Sequence, residues 1–297
     1  MGESKESTNQ LSCKIEVFGE KNPKKLFIWF GGFVHRGISA WWDIPELINK
    51  KFWATFINID YPEQQYNTKQ LIKQVNEYIK SQNNLSEIII TGLSFWEIVA
   101  RDFINQTIPS IKEKIIWHIS ISWVHQKSDF KHSYQKLIPF LSTSIGKVLL
   151  RIIGKLDRGT WPFKGFVSKN IVYIPQHLQS SQNAKYLTNI DQHKKAASLW
   201  LTPGMSDRAK RILQEEKAEK IWNVFTISIW SKTDNTYLNK DSNSIISAEK
   251  IAKLSTHPKS KAVLLEDAIH GGLVEDPKPF NISIQEAIQE IWRKKII

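Results

Sequence analysis

The chain has 297 residues, 41% of them hydrophobic and 24% charged, which is the balance of an ordinary globular protein with a sizeable core. The formal net charge is +12, but no run of Lys and Arg reaches five residues, so the sequence does not indicate a specific nucleic-acid surface. The single cysteine, Cys13, excludes an internal disulfide framework, and residues 1–12 lack the apolar stretch of a signal peptide. We therefore expect a cytoplasmic protein.

The first part of the chain alternates between strand and helix patterns. Apolar, β-branched runs bounded by turn residues predict strands at 25–30, 53–62, 86–92 and 114–123. Amphipathic segments predict helices at 67–82, with Asn67 or Thr68 as the N-cap, and at 95–106. This alternation predicts a parallel sheet covered by helices, and hence an α/β fold.

The pattern changes after Val124. Residues 133–156 form amphipathic helical stretches, interrupted by Pro139 and by a Ser/Thr cluster at 142–144, and they are too charged to span a bilayer. Alternation then resumes, with strands at 223–230 and 261–267 and helices at 245–256 and 282–295. We expect three regions: an N-terminal segment (1–24), an α/β core (25–125 and 218–297) and a helical cap inserted into that core (126–217).

One serine stands where a strand turns sharply into a helix. In the sequence TGLSFWEIVARDF, Ser94 follows the strand and Gly92 precedes the serine by two residues, which favours a nucleophile elbow. A serine hydroxyl needs an imidazole to take its proton and a carboxylate to orient that imidazole. Asp234 and His270 each follow one of the two later strands, so the three side chains would meet at the carboxyl edge of a parallel sheet.

Four short motifs resemble those of the α/β-hydrolase superfamily, in the branch of capped esterases and lipase-like enzymes. They are GGF (31–33), GLSFW (92–96), SKTDN (231–235) and HGG (270–272). The resemblance covers most of residues 25–297 and implies a mostly parallel sheet with a cap inserted after the sixth strand of the family. It also implies a serine hydrolase that cleaves a carboxylic ester through an acyl-enzyme and needs no cofactor.

The resemblance further implies a role for each matched residue. The implied catalytic triad is Ser94 as nucleophile, His270 as general base and Asp234 as its orienting partner. The oxyanion hole would use the backbone amides of Phe95 and Phe33, or that of Gly32 if the register shifts by one residue.

One position departs from the family pattern, because Trp96 stands where the family has a residue small enough for the helix to press against its strand. An indole there would overpack this contact by about 1–3 kcal/mol, which would move the helix away and favour a catalytically impaired binding protein. A second hypothesis is that a reassigned UGA codon, meant as glycine, was translated as tryptophan. The chain has 12 Trp, and several stand at turns or strand ends, among them Trp53, Trp123, Trp161 and Trp230. A third is that these are ordinary core and cap aromatics.

The sequence does not favour other chemistries. HExxH and CxxC motifs are lacking, and His132, His177, His193 and His257 lack metal-ligand spacing, so we expect no metal site. His118 and His125 are expected to cap or follow a core strand. Neither GxGxxG nor GxxxxGK occurs, which argues against nucleotide binding. Asp60 is a weaker candidate for the triad acid than Asp234, because a loop aspartate more often caps a turn. An acyltransferase shares every motif named above and stays open.

The expected ligand is a small-molecule ester. The apolar helices of the cap, around residues 137–153, favour an acyl or otherwise apolar substrate. Their basic residues could bring the cap into peripheral contact with an anionic membrane. The sequence does not define the oligomeric state.

Overall fold

A computed structural model describes residues 13–31, 44–60, 67–122, 127–158, 203–215, 222–232 and 244–265, together with Ile282 and Glu286. The strands in these ranges are β1 (Lys14–Phe18), β2 (Lys25–Phe30), β3 (Thr55–Asp60), β4 (Glu87–Leu93), β5 (Ile115–Ile121), β6 (Phe225–Ser231) and β7 (Lys261–Leu265). They form one sheet in the order β1-β3-β2-β4-β5-β6-β7. Strand β1 is antiparallel to β3 and the other pairings among these strands are parallel, which confirms the predicted α/β class.

Helices separate most of the strands along the chain. In the same ranges they are α1 (Ile44–Phe52), α2 (Thr68–Lys80), α3 (Trp96–Gln106), α4 (Pro109–Lys112), α5 (His132–Leu141), α6 (Ser144–Arg158), α7 (Pro203–Glu215) and α8 (Ser244–Leu254). Helix α2 begins at the predicted cap, because the Asn67 side chain accepts a hydrogen bond from the Gln70 amide at 3.1 Å. The sequence patterns did not predict α1, nor β1, which lies within residues 1–24.

Both faces of the sheet are buried, which explains why its strands are continuously apolar. In β2, Leu26, Ile28 and Phe30 enter one core cluster, Phe27 and Trp29 enter the other, and all five side chains are fully buried. Helices α2, α3 and α8 contribute to the first cluster, and α1 contributes to the second. The sheet is therefore the middle layer between two sets of helices.

Helices α5, α6 and α7 form a helical layer between β5 and β6 in the chain. The three pack against one another, and Lys147 Nζ of α6 lies 3.3 Å from Asp207 Oδ1 of α7. Helix α5 continues through Pro139 to Leu141, so the predicted interruption at Pro139 is wrong. Pro139 has no amide hydrogen to donate to the carbonyl four residues earlier, so α5 continues past it with one hydrogen bond fewer. Helices α5 and α6 meet at a bend of 95°.

Hydroxyl groups close the corner between α5 and α6. Ser142 Oγ donates to the Pro139 carbonyl at 2.6 Å, and Thr143 Oγ1 donates to the Phe140 carbonyl at 2.7 Å. The same Thr143 oxygen accepts from the Gly146 amide at 3.0 Å and so caps the first turn of α6. The Ser/Thr cluster therefore ends one helix and begins the next, as the sequence predicted.

Candidate active site

Ser94 occupies the turn between the end of β4 and the start of α3. Its φ angle is +57°, in the left-handed region that residues with a side chain rarely adopt. Main-chain hydrogen bonds hold the turn, from the Glu97 amide to the Ser94 carbonyl at 3.0 Å and from the Ile98 amide to the Phe95 carbonyl at 3.1 Å. Such a backbone conformation costs about 1–3 kcal/mol and is common at functional turns. The structure therefore has a sharp, strained strand-to-helix turn at Ser94.

Gly92 lets the new helix fold back against its own strand. A Cβ atom at this position would lie 2.5 Å from the Glu97 Cα and 2.8 Å from the Trp96 carbonyl oxygen. Both contacts are with the backbone of α3, which has no side-chain rotamer to move out of the way. Residue 92 must therefore be glycine for the turn to keep its shape.

The structure changes the interpretation of Trp96. Helix α3 does not stand away from β4, because its first turn closes on Gly92, and the expected displacement by the indole is wrong. The Trp96 side chain is 3% exposed and joins the first core cluster beside Phe95, whose ring it meets edge to face at 6.3 Å. The tight contact between strand and helix falls at position 92, so a large residue at 96 fits without opening the turn.

A buried arginine from helix α7 covers this pair of rings. The guanidinium carbon of Arg208, on α7, lies 5.6 Å from the centre of the Phe95 ring and 5.7 Å from that of Trp96. Arg208 is 1% exposed, so the cation–π contacts are desolvated and correspondingly strong. Helix α7 therefore contacts the two residues that directly follow Ser94. No local motif in the sequence marks Arg208.

A buried polar network joins the first turns of α3 to β5, Trp222 and β6. The Arg101 Nε donates to Glu97 Oε2 at 2.8 Å, and Glu97 Oε1 lies 3.7 Å from His118 Nε2 on β5. Trp222 Nε1 donates to Thr226 Oγ1 at 2.9 Å, and the Trp222 ring meets His118 edge to face. Burial, with a smaller effect of the Arg101 charge, lowers the pKa of His118 to about 3, so its ring is neutral and its contact with Glu97 is no ion pair. His118 is thus a core histidine within a strand rather than a cap at its end.

The carboxyl ends of four neighbouring strands meet at one edge of the sheet. The Ser94 amide, after β4, donates to the Ile121 carbonyl of β5 at 2.8 Å. The Ser122 amide, after β5, donates to the Ile229 carbonyl of β6 at 3.0 Å, and the Lys232 amide, after β6, donates to the Leu265 carbonyl of β7 at 2.8 Å. A continuous chain of main-chain contacts therefore runs from the Ser94 turn to the ends of β6 and β7.

Only part of the predicted site lies in the described ranges. Ser94 and Phe95 are there, but Asp234, His270, Phe33 and Gly32 lie outside the described residues, so their roles stay predictions. Asp60 ends β3, which β2 separates from β4, and its Oδ1 accepts from Asn58 Nδ2 at 3.1 Å. Within the described ranges, no group of three or more His, Cys, Asp or Glu side chains could hold a metal ion.

Comparison with solved structures supports the architecture. A thermophilic esterase from Thermogutta terrifontis, solved with malate bound, superposes with a TM-score of 0.63 at 13% identity, over 94% of this chain and 93% of that one. MenH from S. aureus gives a TM-score of 0.56 at 16% identity, over 93% of this chain and 98% of that one. The chain has the α/β-hydrolase fold. A third similar structure is BphD, the 2-hydroxy-6-oxo-6-phenylhexa-2,4-dienoate hydrolase of Rhodococcus sp. strain RHA1. It gives a TM-score of 0.58 at 12% identity, over 94% of this chain and 95% of that one.

These likenesses concern the fold, because the sequence identities are low. No protein-family model and no curated protein matches the sequence. The residues that act in this chain must therefore be argued from its own geometry. In this chain Ser94 occupies the turn between β4, the central strand of the sheet, and helix α3.

Proposed function

We propose that this protein is a serine hydrolase that cleaves a carboxylic ester through an acyl-enzyme on Ser94. The observation that carries the proposal is the strained turn at Ser94, with φ +57° and with helix α3 closed onto Gly92. Such a turn projects a serine hydroxyl from the edge of the sheet. The esterase and the hydrolase among the similar structures support hydrolysis as the reaction class.

The proposed mechanism begins with proton transfer. His270 takes the hydroxyl proton of Ser94 while the Ser94 oxygen forms a bond to the ester carbonyl carbon. The amide of Phe95, with that of Phe33 or Gly32, stabilises the negative charge that develops on the carbonyl oxygen. The intermediate then expels the alcohol, which receives the proton from His270, and leaves an acyl group on Ser94. His270 next takes a proton from a water molecule, whose oxygen bonds to the acyl carbon, and gives that proton to the Ser94 oxygen as the bond to the acyl group breaks and the acid is released.

The sheet edge supports the participation of the two residues outside the described ranges. Asp234 lies two residues beyond Lys232, and His270 lies five residues beyond Leu265. Lys232 and Leu265 are hydrogen-bonded to each other at the edge that carries Ser94. A chain extends at most about 3.6 Å per residue, so these short separations allow both side chains to reach this edge. Asp234 would orient the His270 ring and stabilise its charged form.

A fluorophosphonate probe tests the nucleophile directly. We expect the folded protein to be labelled on the peptide that contains Ser94 and the Ser94→Ala variant to lose the label. Ser122 provides a matched control, because it also follows a strand at the same edge and also has a positive φ, of +51°. The Ser122→Ala variant should keep the label. Labelling that persists in Ser94→Ala, or folded protein that takes no label, would contradict the proposal.

The acceptor of the acyl group distinguishes hydrolysis from transfer. An acyltransferase would use the same nucleophile and the same acyl-enzyme, and would release it to an alcohol or amine instead of water. Incubation of the enzyme with a chromogenic ester and competing alcohols, followed by product analysis, separates the two. We expect the free acid as the main product, and a dominant ester of the added alcohol would assign the protein as a transferase.

A further inference from the structure

Helix α6 exposes a stripe of large apolar side chains. Ile145 is 72% exposed, Val148 52%, Leu149 38%, Ile152 51% and Leu156 47%. These five residues, the α6 stripe, follow helical spacing and lie along one face of the helix. An apolar face of this kind on a surface marks a site of interaction with an apolar partner.

The opposite face of α6 is packed against the protein. Leu150 is 5% exposed and Asp157 is 3% exposed, and Lys147 lies 3.3 Å from Asp207 of helix α7. Among the residues that the structure describes, helix α6 is therefore packed against on one side only. Beyond the 95° corner, helix α5 adds two more exposed apolar side chains, Leu137 at 45% and Phe140 at 41%.

The charge beside the stripe is positive. At 3.6 residues per turn, Arg151 and Lys155 border the α6 stripe on one side, and both are exposed. Across α5 and α6 the sequence contains a single acidic residue, Asp157, which is buried. The whole chain carries a formal net charge of +12. An anionic partner is therefore attracted both by the protein as a whole and by the border of the stripe.

The combination is typical of a helix that lies in a membrane interface. Such helices bury an apolar face at the boundary between headgroups and acyl chains and place basic side chains among anionic headgroups. In the described ranges no single helix passes the criteria of length and apolar composition for a membrane span, although α5 and α6 pass them together despite their bend. A protein partner would more often offer acidic side chains in fixed positions, whereas exposed basic residues such as Arg151 and Lys155 beside an apolar stripe suit a fluid anionic surface.

We propose that the α6 stripe docks the cap onto the surface of an anionic lipid bilayer. In this arrangement Ile145, Val148, Leu149, Ile152 and Leu156 enter the acyl boundary, while Arg151 and Lys155 contact the headgroups. The surface lies on the cap, whose helix α7 also contacts the residues after Ser94 through Arg208. The docked enzyme would thus hold its proposed active site next to the bilayer, although the docking itself does not depend on the ester chemistry.

Vesicle sedimentation tests the docking surface. The full chain is mixed with vesicles of phosphatidylcholine alone or of phosphatidylcholine with phosphatidylglycerol, and the bound fraction is measured as lipid concentration rises. We expect binding to the anionic vesicles only, and weaker binding as salt is added. Two variants then separate the contributions. Ile145→Ser with Ile152→Ser removes apolar contact and should weaken binding. Arg151→Gln with Lys155→Gln removes charge and should weaken binding about fivefold for each residue.

Matched controls change the same chemistry elsewhere on the surface. Ile245→Ser with Ile246→Ser removes two isoleucines of α8 that are each 41% exposed. Lys73→Gln with Lys253→Gln removes two positive charges whose side chains are 75% and 76% exposed. We expect both controls to bind anionic vesicles nearly as well as the unchanged protein. All variants alter exposed side chains, and thermal unfolding verifies that each remains folded.

Three results would overturn the proposal. One is equal binding to neutral and anionic vesicles, and another is equal binding by the α6 variants and their controls. The third is a dimer that the Ile145→Ser, Ile152→Ser variant abolishes, in a protein that does not bind vesicles, because the stripe would then be covered by a second copy of the chain. Light scattering during size-exclusion chromatography measures that state.

Discussion

Arg211 of helix α7 donates two hydrogen bonds to the carboxylate of Asp102 on helix α3, from Nε to Oδ2 at 2.9 Å and from Nη2 to Oδ1 at 2.6 Å. Their side chains are only 19% and 9% exposed. Because α3 begins directly after the Ser94 turn, this pair fixes α7 relative to the helix that follows the proposed nucleophile. Arg208, also on α7, contacts the rings of Phe95 and Trp96 at the start of the same helix.

We expect the Arg211–Asp102 pair to couple strongly in a double-mutant cycle. The variants Arg211→Gln and Asp102→Asn, alone and together, should give a coupling free energy of about 1.5–3 kcal/mol, because the pair is two-pronged and shielded from water. The matched control is Glu249 with Lys253, an exposed pair one turn apart on α8, for which about 0.5 kcal/mol or less is expected. Urea unfolding measures both cycles, and equal coupling in the two pairs would contradict the argument.

The strain at Ser94 predicts that two inactive variants differ in stability. Ser94→Gly and Ser94→Ala both remove the hydroxyl, and both should abolish ester hydrolysis. Glycine accepts a φ of +57° without strain and alanine does not, so the glycine variant should be more stable by about 1 kcal/mol. Denaturant unfolding of the two proteins measures the difference. If the alanine variant is as stable as the glycine variant, the turn is not strained as described.

Trp53 should be replaceable by glycine with a gain in stability. It directly follows helix α1, its φ is +50° and its side chain is 82% exposed, a combination that favours glycine at the end of a helix. Trp53→Gly should raise the free energy of unfolding by about 1 kcal/mol, whereas Trp53→Ala keeps the unfavourable φ and should gain little. Thermal and urea unfolding of the three proteins measure this. A glycine variant that is less stable than the alanine variant would contradict the prediction.

The same position sharpens the codon hypothesis. Trp53 has the backbone conformation of a glycine, and Trp96 stands at the last position of the GLSFW motif, where the family pattern has a small residue. If UGA is read as glycine in the native cell, peptide mass analysis of protein from that cell should find glycine at 53 and 96. Trp29, which is fully buried in the middle of β2, serves as the control and should be tryptophan. An indole at position 96 in native protein ends the hypothesis.

His118 should make the protein less stable in acid. Its pKa is 6.5 in an unperturbed chain and about 3 when buried in the fold, so between these values the unfolded chain takes up a proton that the folded one does not. The stability is therefore complete above pH 6.5 and is lost as the pH falls. By linkage, this residue alone costs about 2 kcal/mol at pH 5 relative to pH 7.5. Between pH 7.5 and pH 5, the free energy of unfolding should therefore fall by about 2 kcal/mol more in the unchanged protein than in His118→Gln. If the two proteins lose stability equally over this range, the buried ring is not neutral as described.

The sheet could be predicted from sequence because its strands are buried on both faces. The run KLFIWF in β2 is apolar at nearly every position, and such runs leave little choice of structure. Strand β1 could not be found in this way, since its residues KIEVF are half exposed and its place depends on pairing with β3, some forty positions later in the chain. Helix α1 has only nine residues and carries Pro45 in its first turn, which weakens its amphipathic signal.

The candidate site likewise combines features that the local sequence predicts with features that depend on residues far away in the chain. The motif around Ser94 is local, so the sequence marked both the turn and the glycine that shapes it. The pairing of Glu97 with Arg101 one turn later was also readable as a helical ion pair. The burial of this pair could not be predicted, because it depends on contacts with His118 and Trp222 from other parts of the chain. The Arg211–Asp102 contact joins residues 109 positions apart, and no local pattern announces it.

The bond from the Ser94 amide to the Ile121 carbonyl uses main-chain atoms alone. Any amino acid except proline at position 94 retains that amide, so this hydrogen bond does not depend on which side chain stands there. An aspartate or a cysteine introduced there would be presented from the same spot. The main chain thus sets the position of residue 94 independently of its chemical identity. Substitution there would place a different reactive group at the same point of the fold.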